Sequence, residues 1–146
     1  MLIETTRFGW LRLREEDVLL FPTGLIGWED CRQWVILADA ENEAVGWLQS
    51  VTRPDLALAV VSPRRFVPDY RVRVVRRQLL PLQLESVAEA YVLVVVGKSE
   101  TALTVNLKAP IVLNLERRLG RQVVTRDDQP MAHPAGALPR MLRKTA

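Results

Sequence analysis

The stretch "NLKAPIVLN", residues 106–114, combines a strand-forming run with residues that restrict where a strand can lie. Its apolar run, residues 111–113, is rich in β-branched side chains, which favours a β-strand. Pro110 precedes the run, and because proline has no amide hydrogen, it is confined to strand starts, sheet edges and bulges. Asn106 and Asn114 are the first and last residues of the stretch. The stretch therefore predicts a strand that is sharply bounded and carries no catalytic group.

Short apolar segments of strand length occur along the rest of the chain. Two of them, "WLRLR" (10–14) and "YRVRVV" (70–75), alternate apolar residues with arginine, which is typical of a half-buried strand. Turn signals such as Gly9, "RPD" and "RLG" fill nearly every gap. The other predicted strands are "VLLF" (18–21), "WVIL" (34–37), "GWLQSV" (46–51), "LALAVV" (56–61), "YVLVVV" (91–96), "ALTVN" (102–106), "PIVLN" (110–114) and "RQVVT" (121–125). About ten short strands predict a mainly all-β protein, an antiparallel β-barrel-like single domain or a closed sandwich.

Helix signals are scarce. The segment "RQLLPLQLESVAEA" (77–90) is interrupted by Pro81, so we expect one or two short helical turns there and another in "GWEDC" (27–31). We predict a β-barrel domain over residues 1–128 and a proline-containing basic tail over residues 129–146. Apolar runs of strand length predict the core. The predicted core residues are Trp34, Val35, Leu37, Leu58, Val60, Val92, Val94 and Val112.

The composition is that of one globular domain of 146 residues, 49% hydrophobic and 25% charged. A single cysteine excludes an internal disulfide and favours a reducing compartment. No apolar run approaches the length of a membrane-spanning helix, and the first residues lack the pattern of a signal peptide. We therefore expect a cytoplasmic protein that does not enter a membrane.

The net charge of +3 is distributed unevenly. Residues 1–45 contain nine acidic and four basic side chains, whereas residues 46–146 contain eight acidic and sixteen basic ones. A basic half can attract nucleic acid or an acidic protein. A general preference for arginine also explains it, since seventeen of the twenty basic residues are arginine.

No pattern in the sequence points to catalysis or metal binding. His133, the one histidine, lies in a proline-rich tail, and Cys31 follows two acidic residues, whose negative charge opposes its use as a nucleophile. We expect Cys31 to be a small core residue. No cysteine and histidine spacing suits zinc, so we expect no metal, no cofactor and no enzymatic activity.

Polar side chains at strand ends leave two interpretations. Gln49 and Ser50 in "GWLQS" and the asparagines of residues 106–114 can form a docking edge for another protein. Alternatively, these amides satisfy backbone groups of the neighbouring loops and belong to the scaffold.

An ordered set of motifs resembles the FliW family of flagellar assembly factors. The motifs are "MLIETTRFG" at the start, "FPTGLIGWED" (21–30), "WLQSVTRPDLALAVVSP" (47–63), "VPDY" (67–70), "NLKAPIVLN" (106–114) and "GRQVV" (120–124). The resemblance implies a non-enzymatic cytoplasmic protein with a β-barrel-like fold. It also implies two partners, flagellin and CsrA, an RNA-binding repressor of translation. When flagellin is exported, the freed factor takes up CsrA and relieves repression of flagellin synthesis, without binding nucleic acid directly.

Members of the family tend to be acidic, whereas this chain is basic, and its end "ALPRMLRKTA" (137–146) goes beyond the family pattern. The alternative function is therefore a β-barrel RNA-binding protein that uses its basic C-terminal half. Under the resemblance, we predict that the segment 106–114 contributes to the CsrA-binding surface. The predicted binding residues are Gln49, Ser50, Asn106, Leu107, Lys108, Pro110 and Asn114.

Overall fold

The computed structural model of the chain describes residues 1–136. Eleven strands are present in this range. They are β1 (Leu2–Thr5), β2 (Gly9–Arg12), β3 (Leu19–Leu20), β4 (Gln33–Ala38), β5 (Val45–Ser50), β6 (Ala57–Val61), β7 (Tyr91–Lys98), β8 (Leu103–Val105), β9 (Ile111–Asn114), β10 (Leu119–Gln122) and β11 (His133–Pro134). Five short 3₁₀ turns occur at Glu15–Asp17, Pro63–Arg65, Arg76–Gln78, Leu80–Leu82 and Val87–Glu89.

Seven of the strands close into a barrel. Hydrogen-bonded neighbours run β3, β4, β5, β6, β7, β9, β10 and back to β3. All pairs in this ring are antiparallel except β3 and β10, which pair in parallel through Leu20 and Leu119. Closure leaves none of the seven strands at an open edge. The predicted β-barrel fold is confirmed, with one parallel pair added.

Strand β7 also pairs with β8, which lies outside the ring. Val96 is opposite Val105 in β8, and Leu93 is opposite Ile111 in β9. Residues 106–110 therefore face only Val94 and Val95, so the chain from β8 to β9 carries three more residues than its partner. We call residues 106–110 the bulge, since extra residues on one strand define that feature. Pro110 lies there because no ladder hydrogen bond is required of it.

The core is built on both faces of the barrel wall. Trp34, Leu48 and Leu113 belong to one buried cluster, whereas Trp47 and Val94 belong to another. The neighbours Trp47 and Leu48 thus lie on opposite faces of β5, and both are buried. Residues of the second cluster are covered from outside by the chain that follows β6 and by the bulge. This double burial explains why runs such as "YVLVVV" are continuously apolar instead of alternating.

All eight predicted core residues pack in buried clusters, with Val35 and Val112 in two smaller clusters beside the two described above. Five are buried, and Leu37, Leu58 and Val92 are half-buried against them. Cys31 is also buried, as expected.

The prediction of a strand at residues 70–75 is wrong. The segment has no regular secondary structure, although its Val72 and Val74 are half-buried, as the alternation implied. However, the amide of Arg73 donates to Oγ1 of Thr125 at 2.9 Å, and its carbonyl accepts from the amide of Arg126 at 2.7 Å. The hydroxyl of Thr125 therefore takes the place of a backbone carbonyl, and the repeating backbone hydrogen bonds that define a β-strand are not formed.

Other boundaries also differ from the sequence prediction. Strand β1 and the two-residue β11 were missed, and β10 ends at Gln122 instead of continuing to residue 125. Three 3₁₀ turns occupy residues 76–89, where one or two were expected, and residues 27–31 form turns without helix. The division at residue 128 stays a prediction. In the structure β11 pairs with β8 and Ala135 is buried, so residues 129–135 contact the barrel, while 137–146 lie outside the described residues.

Candidate functional site

The seven predicted binding residues differ sharply in accessibility. Gln49, Ser50, Leu107, Pro110 and Asn114 are buried. The remaining two, Asn106 and Lys108, are half-exposed. A partner that approaches the folded chain can therefore reach only these two side chains of the set. Their role in binding CsrA stays a prediction.

The bulge is held together by its own side chains and by neighbouring elements. Oδ1 of Asn106 accepts hydrogen bonds from the amides of Lys108 and Ala109, both at 3.1 Å. This arrangement is an Asx turn, which explains why an asparagine precedes the bulge. Nζ of Lys108 donates to the carbonyl of Asp127 at 2.6 Å. Lys108 thus ties the bulge to the chain after β10.

The carbonyls of the bulge are satisfied from outside it. The amides of Thr125 and Val123 donate to the carbonyls of Lys108 and Pro110, both at 3.0 Å. Nε2 of Gln122 donates to the carbonyl of Ala109, also at 3.0 Å. Because these groups are paired within the chain, the bulge is a rigid support and not an open edge for strand addition.

Asn114 joins the barrel to the helical turn at Leu80–Leu82. Its Nδ2 donates to the carbonyls of Leu82 at 2.8 Å and of Gln83 at 3.3 Å, and its Oδ1 accepts from the amide of Arg117 at 3.2 Å. Gln83 has a φ of +54°, a left-handed conformation that is unfavourable for a non-glycine residue. The buried amide therefore fixes a turn that has an intrinsic backbone cost.

Gln49 and Ser50 organise the turn between β5 and β6. Nε2 of Gln49 lies 3.0 Å from the carbonyl of Ser50 and 3.1 Å from that of Leu56, and Oγ of Ser50 accepts from the amide of Arg53 at 3.0 Å. Oε1 of Gln49 is buried and has no donor within hydrogen-bonding distance in residues 1–136. An unpaired buried oxygen costs about 1–3 kcal/mol. These contacts agree with the scaffold interpretation for both side chains.

Tyr70 supports the bulge from the segment that was predicted to be a strand. Its hydroxyl donates to the carbonyl of Leu107 at 2.6 Å, and the side chain is buried. Burial raises the pKa of Tyr70 from 10.0 to about 12, because the phenolate loses hydration, and the negative charge of Asp127 adds to the shift.

We expect the stability of the protein to fall between about pH 10 and pH 12 through Tyr70. In that window the unfolded chain loses the phenol proton while the folded chain keeps it. Stability is therefore complete below pH 10 and is lost as the pH rises, by up to about 2–3 kcal/mol from this group. Tyr70→Phe should remove this slope and cost about 1–3 kcal/mol at neutral pH, because the Leu107 carbonyl loses its donor.

Urea unfolding at several pH values measures both effects. Tyr91→Phe is the matched control, since it makes the same substitution at a half-exposed tyrosine of β7. An identical alkaline slope in Tyr70→Phe and the parent would contradict the assignment.

Tyr70 also forms a wall of a surface groove of about 660 Å³. The groove lies between the turn at Pro63–Arg65, the extended segment after Tyr70, and residues 87–92, with Val112 at its base. Sequence reasoning missed it, although the alternation in "YRVRVV" places arginines on an exposed face. Arg64 and Arg71 line it together with aliphatic side chains.

His133 and Cys31 show no catalytic arrangement. Nδ1 of His133 lies 2.9 Å from the carbonyl of Pro134, and its ring lies 6.2 Å from that of Phe66. Sγ of Cys31 lies 3.7 Å from Oδ1 of Asp30. Within the described range, no three His, Cys, Asp or Glu side chains are placed to hold a metal ion. The helical turns of residues 1–136 are all too short to cross a bilayer.

Comparison with known proteins finds similarity to one family. A family model described as "FliW protein" matches residues 2–135. A flagellar assembly factor FliW from Bdellovibrio bacteriovorus is 39% identical over 130 residues, which cover 88% of this chain and 74% of that protein. Another, from Natranaerobius thermophilus, is 34% identical over 138 residues, covering 92% and 91% of the two chains.

A solved structure is also similar to this fold. It is a crystal structure of the flagellar assembly factor FliW, with 29% sequence identity and a TM-score of 0.84. The alignment covers 92% of this chain and 96% of that one. The similarity in sequence and in structure thus extends over nearly the whole described domain.

Proposed function

The chain belongs to the FliW family of flagellar assembly factors, and from this premise we propose that it binds flagellin and the translational repressor CsrA in the cytoplasm. The family match over residues 2–135 carries the proposal. The two named partners come from the resemblance of its motifs to that family. We propose further that the protein acts by binding alone, without catalysis.

The proposed mechanism is an exchange of partners. While flagellin is abundant in the cell, it occupies the protein, and CsrA remains free to repress translation. When flagellin is exported, the protein becomes available and withdraws CsrA from its RNA. Such a switch needs only two competing binding free energies and a change in the concentration of one partner.

Competition experiments test this exchange. Calorimetry with purified CsrA and with purified flagellin should each give a complex, and saturating flagellin should abolish the heat of CsrA binding. In a mobility-shift assay, the protein should remove the shift that CsrA gives with flagellin leader RNA. Absence of binding to both partners would contradict the proposal.

The same assay decides the alternative function, direct RNA binding. The observation that favours it is the arginine-rich stretch 64–77, which contains six arginines and one aspartate. If the protein alone shifts the leader RNA, with an affinity that falls steeply as salt rises, phosphate contacts are responsible and the alternative is supported.

Within the proposal, the accessible part of the bulge contributes to the CsrA surface. Lys108→Glu reverses the charge of one of its two accessible side chains, so we expect the affinity for CsrA to fall at least about tenfold, or about 1.4 kcal/mol. Calorimetry with CsrA measures this change. Asn106→Ala should also weaken binding. Because it removes the Asx turn as well, its affinity is interpreted only together with its melting temperature.

Lys98→Glu is the matched control, because Lys98 is an exposed lysine of β7 outside the bulge. Lys108→Gln separates the loss of charge from its reversal. If both Lys108 variants stay folded and bind CsrA as the parent does, the bulge is scaffold and the interface lies elsewhere.

A further inference from the structure

The groove beside Tyr70 has two exposed apolar side chains in its lining. Val87 is 82% exposed, and Tyr91 is 50% exposed. Both line the groove, together with Val72, Leu79 and Val112. Exposed apolar side chains that gather around a concave surface are typical of sites that bind a partner. Val87 and Tyr91 are left uncovered by residues 1–136, whereas Val72 and Leu79 are half-buried and Val112 is buried.

The groove also carries positive charge. Arg64 and Arg71 line it, and both side chains are exposed. Nε of Arg64 donates to the carbonyl of Tyr70 at 3.1 Å, which fixes the guanidinium at the wall of the groove. Of the six arginines in residues 64–77, only Arg73 forms an ion pair within the described range, with Asp127 at 3.1 Å. The two groove arginines are thus unpaired with any carboxylate of residues 1–136.

The walls of the groove are held in place by the bulge. Tyr70 is bonded to the Leu107 carbonyl, and Val112 belongs to β9. The carbonyl groups of residues 107–110 are paired, so this side of the groove is preorganised in the free protein. A preformed site reduces the ordering cost of binding a flexible ligand.

We propose that this groove is a docking site for a peptide segment that carries large aliphatic side chains and carboxylates. The aliphatic side chains would pack between Val87, Tyr91 and Val72, and the carboxylates would pair with Arg64 and Arg71. Arginine suits this role because its planar guanidinium binds a carboxylate through two hydrogen bonds. The inference goes beyond the proposed function, since it concerns ligand chemistry and does not depend on CsrA or flagellin.

The lining of the groove favours a peptide over single-stranded RNA. Binding of unstructured RNA combines positive charge with aromatic side chains on which bases stack. Here the exposed aromatic of the groove is Tyr91, and the neighbouring lining residues Val72, Val87, Val92 and Val112 are aliphatic. Aliphatic side chains provide a surface for leucine or isoleucine but no stacking platform.

The test uses a fluorescein-labelled synthetic peptide in which leucine alternates with glutamate, titrated with the full chain and followed by fluorescence anisotropy. Peptides of the same length with lysine in place of glutamate, or serine in place of leucine, are the comparison. We expect either replacement to weaken binding at least about tenfold. Affinity for the leucine–glutamate peptide should also fall as salt rises, because exposed charges are screened.

Two variants test whether the peptide binds in the groove. Arg71→Glu and Val87→Asp alter exposed side chains, so each should leave the melting temperature unchanged. Each should also lower the affinity for the leucine–glutamate peptide at least about tenfold. Arg12→Glu makes the same charge change on strand β2, outside the groove, and should leave binding within about twofold of the parent.

Three outcomes would overturn the proposal. The first is that the leucine–glutamate peptide does not bind. The second is that it binds equally to the parent and to both groove variants, or that Arg12→Glu weakens it as much as Arg71→Glu does. The third is that a single-stranded RNA of mixed sequence binds in an Arg71-dependent manner while the peptide does not. If Arg71→Glu proves unstable, the affinity of Val87→Asp for the peptide decides whether the peptide binds in the groove.

Discussion

Val94→Asp should abolish the folded state. Val94 is fully buried in the centre of β7, in the cluster that contains Trp47, Tyr70 and Leu107. The change removes the burial of a valine, about 1.5–3 kcal/mol. It also places a carboxyl group where no partner is available, at a further cost of about 2–7 kcal/mol even when the group is protonated. The sum is comparable with the whole stability of a small domain, about 5–15 kcal/mol.

Circular dichroism during heating measures this loss. We expect no cooperative transition for Val94→Asp. The matched control is Val124→Asp, the same substitution at a valine that is 55% exposed, which should keep the parent transition within a few degrees. A cooperative melt of Val94→Asp at the parent temperature would show that the side chain is not buried in the barrel wall.

Gly120→Ala should destabilise the protein by at least about 3 kcal/mol, the upper part of the range for overpacked cores. A Cβ atom at Gly120 would lie 2.4–2.7 Å from three ring carbons of Phe21. Phe21 is fully buried and packs edge-to-face on Trp34 with 6.4 Å between ring centroids, so a shift of its ring would disturb the buried cluster that contains both. The glycine is required here for close approach and not for a special backbone angle.

Gly46→Ala is the control for this prediction. Gly46 is also in a barrel strand, but a Cβ there would meet its nearest atom, a Val60 methyl carbon, at an ordinary 3.4 Å. Urea unfolding should therefore show a change of less than about 1 kcal/mol for Gly46→Ala. Equal effects of the two substitutions would contradict the packing explanation and indicate a general cost of removing glycine from a strand.

Much of the barrel could be predicted from local patterns. Runs such as "WVIL" and "YVLVVV" are apolar and β-branched over strand length, and both became strands. Such runs determine that the segment must be extended and buried whichever neighbour it pairs with. The boundaries were less certain, because the point where a ladder stops depends on the partner strand. The early end of β10 at Gln122, whose side chain bonds to the bulge, is an example.

The contacts of the candidate site residues were harder to predict than the fold. Asn114 and Gln49 carry the same chemical groups whether they face a partner or a loop of their own chain. The structure shows the second case, with Asn114 bonded to the carbonyl of Leu82 and Gln49 to that of Leu56. The local bonds, such as those that Oδ1 of Asn106 accepts from amides two and three residues away, are the part that a sequence pattern could indicate.

The β class, the apolar segments of the barrel and the resemblance to the FliW family follow from the sequence alone, because these depend on residue type and on short-range order. Which polar residues bond to their own chain, and where a groove opens, depends on the tertiary structure. Tyr70 meets Leu107 across 37 residues of chain, and Arg73 meets Thr125 across 52. Hydrogen bonds over such separations exist only once the barrel has closed, since closure supplies both the partner and the burial that makes the bond necessary.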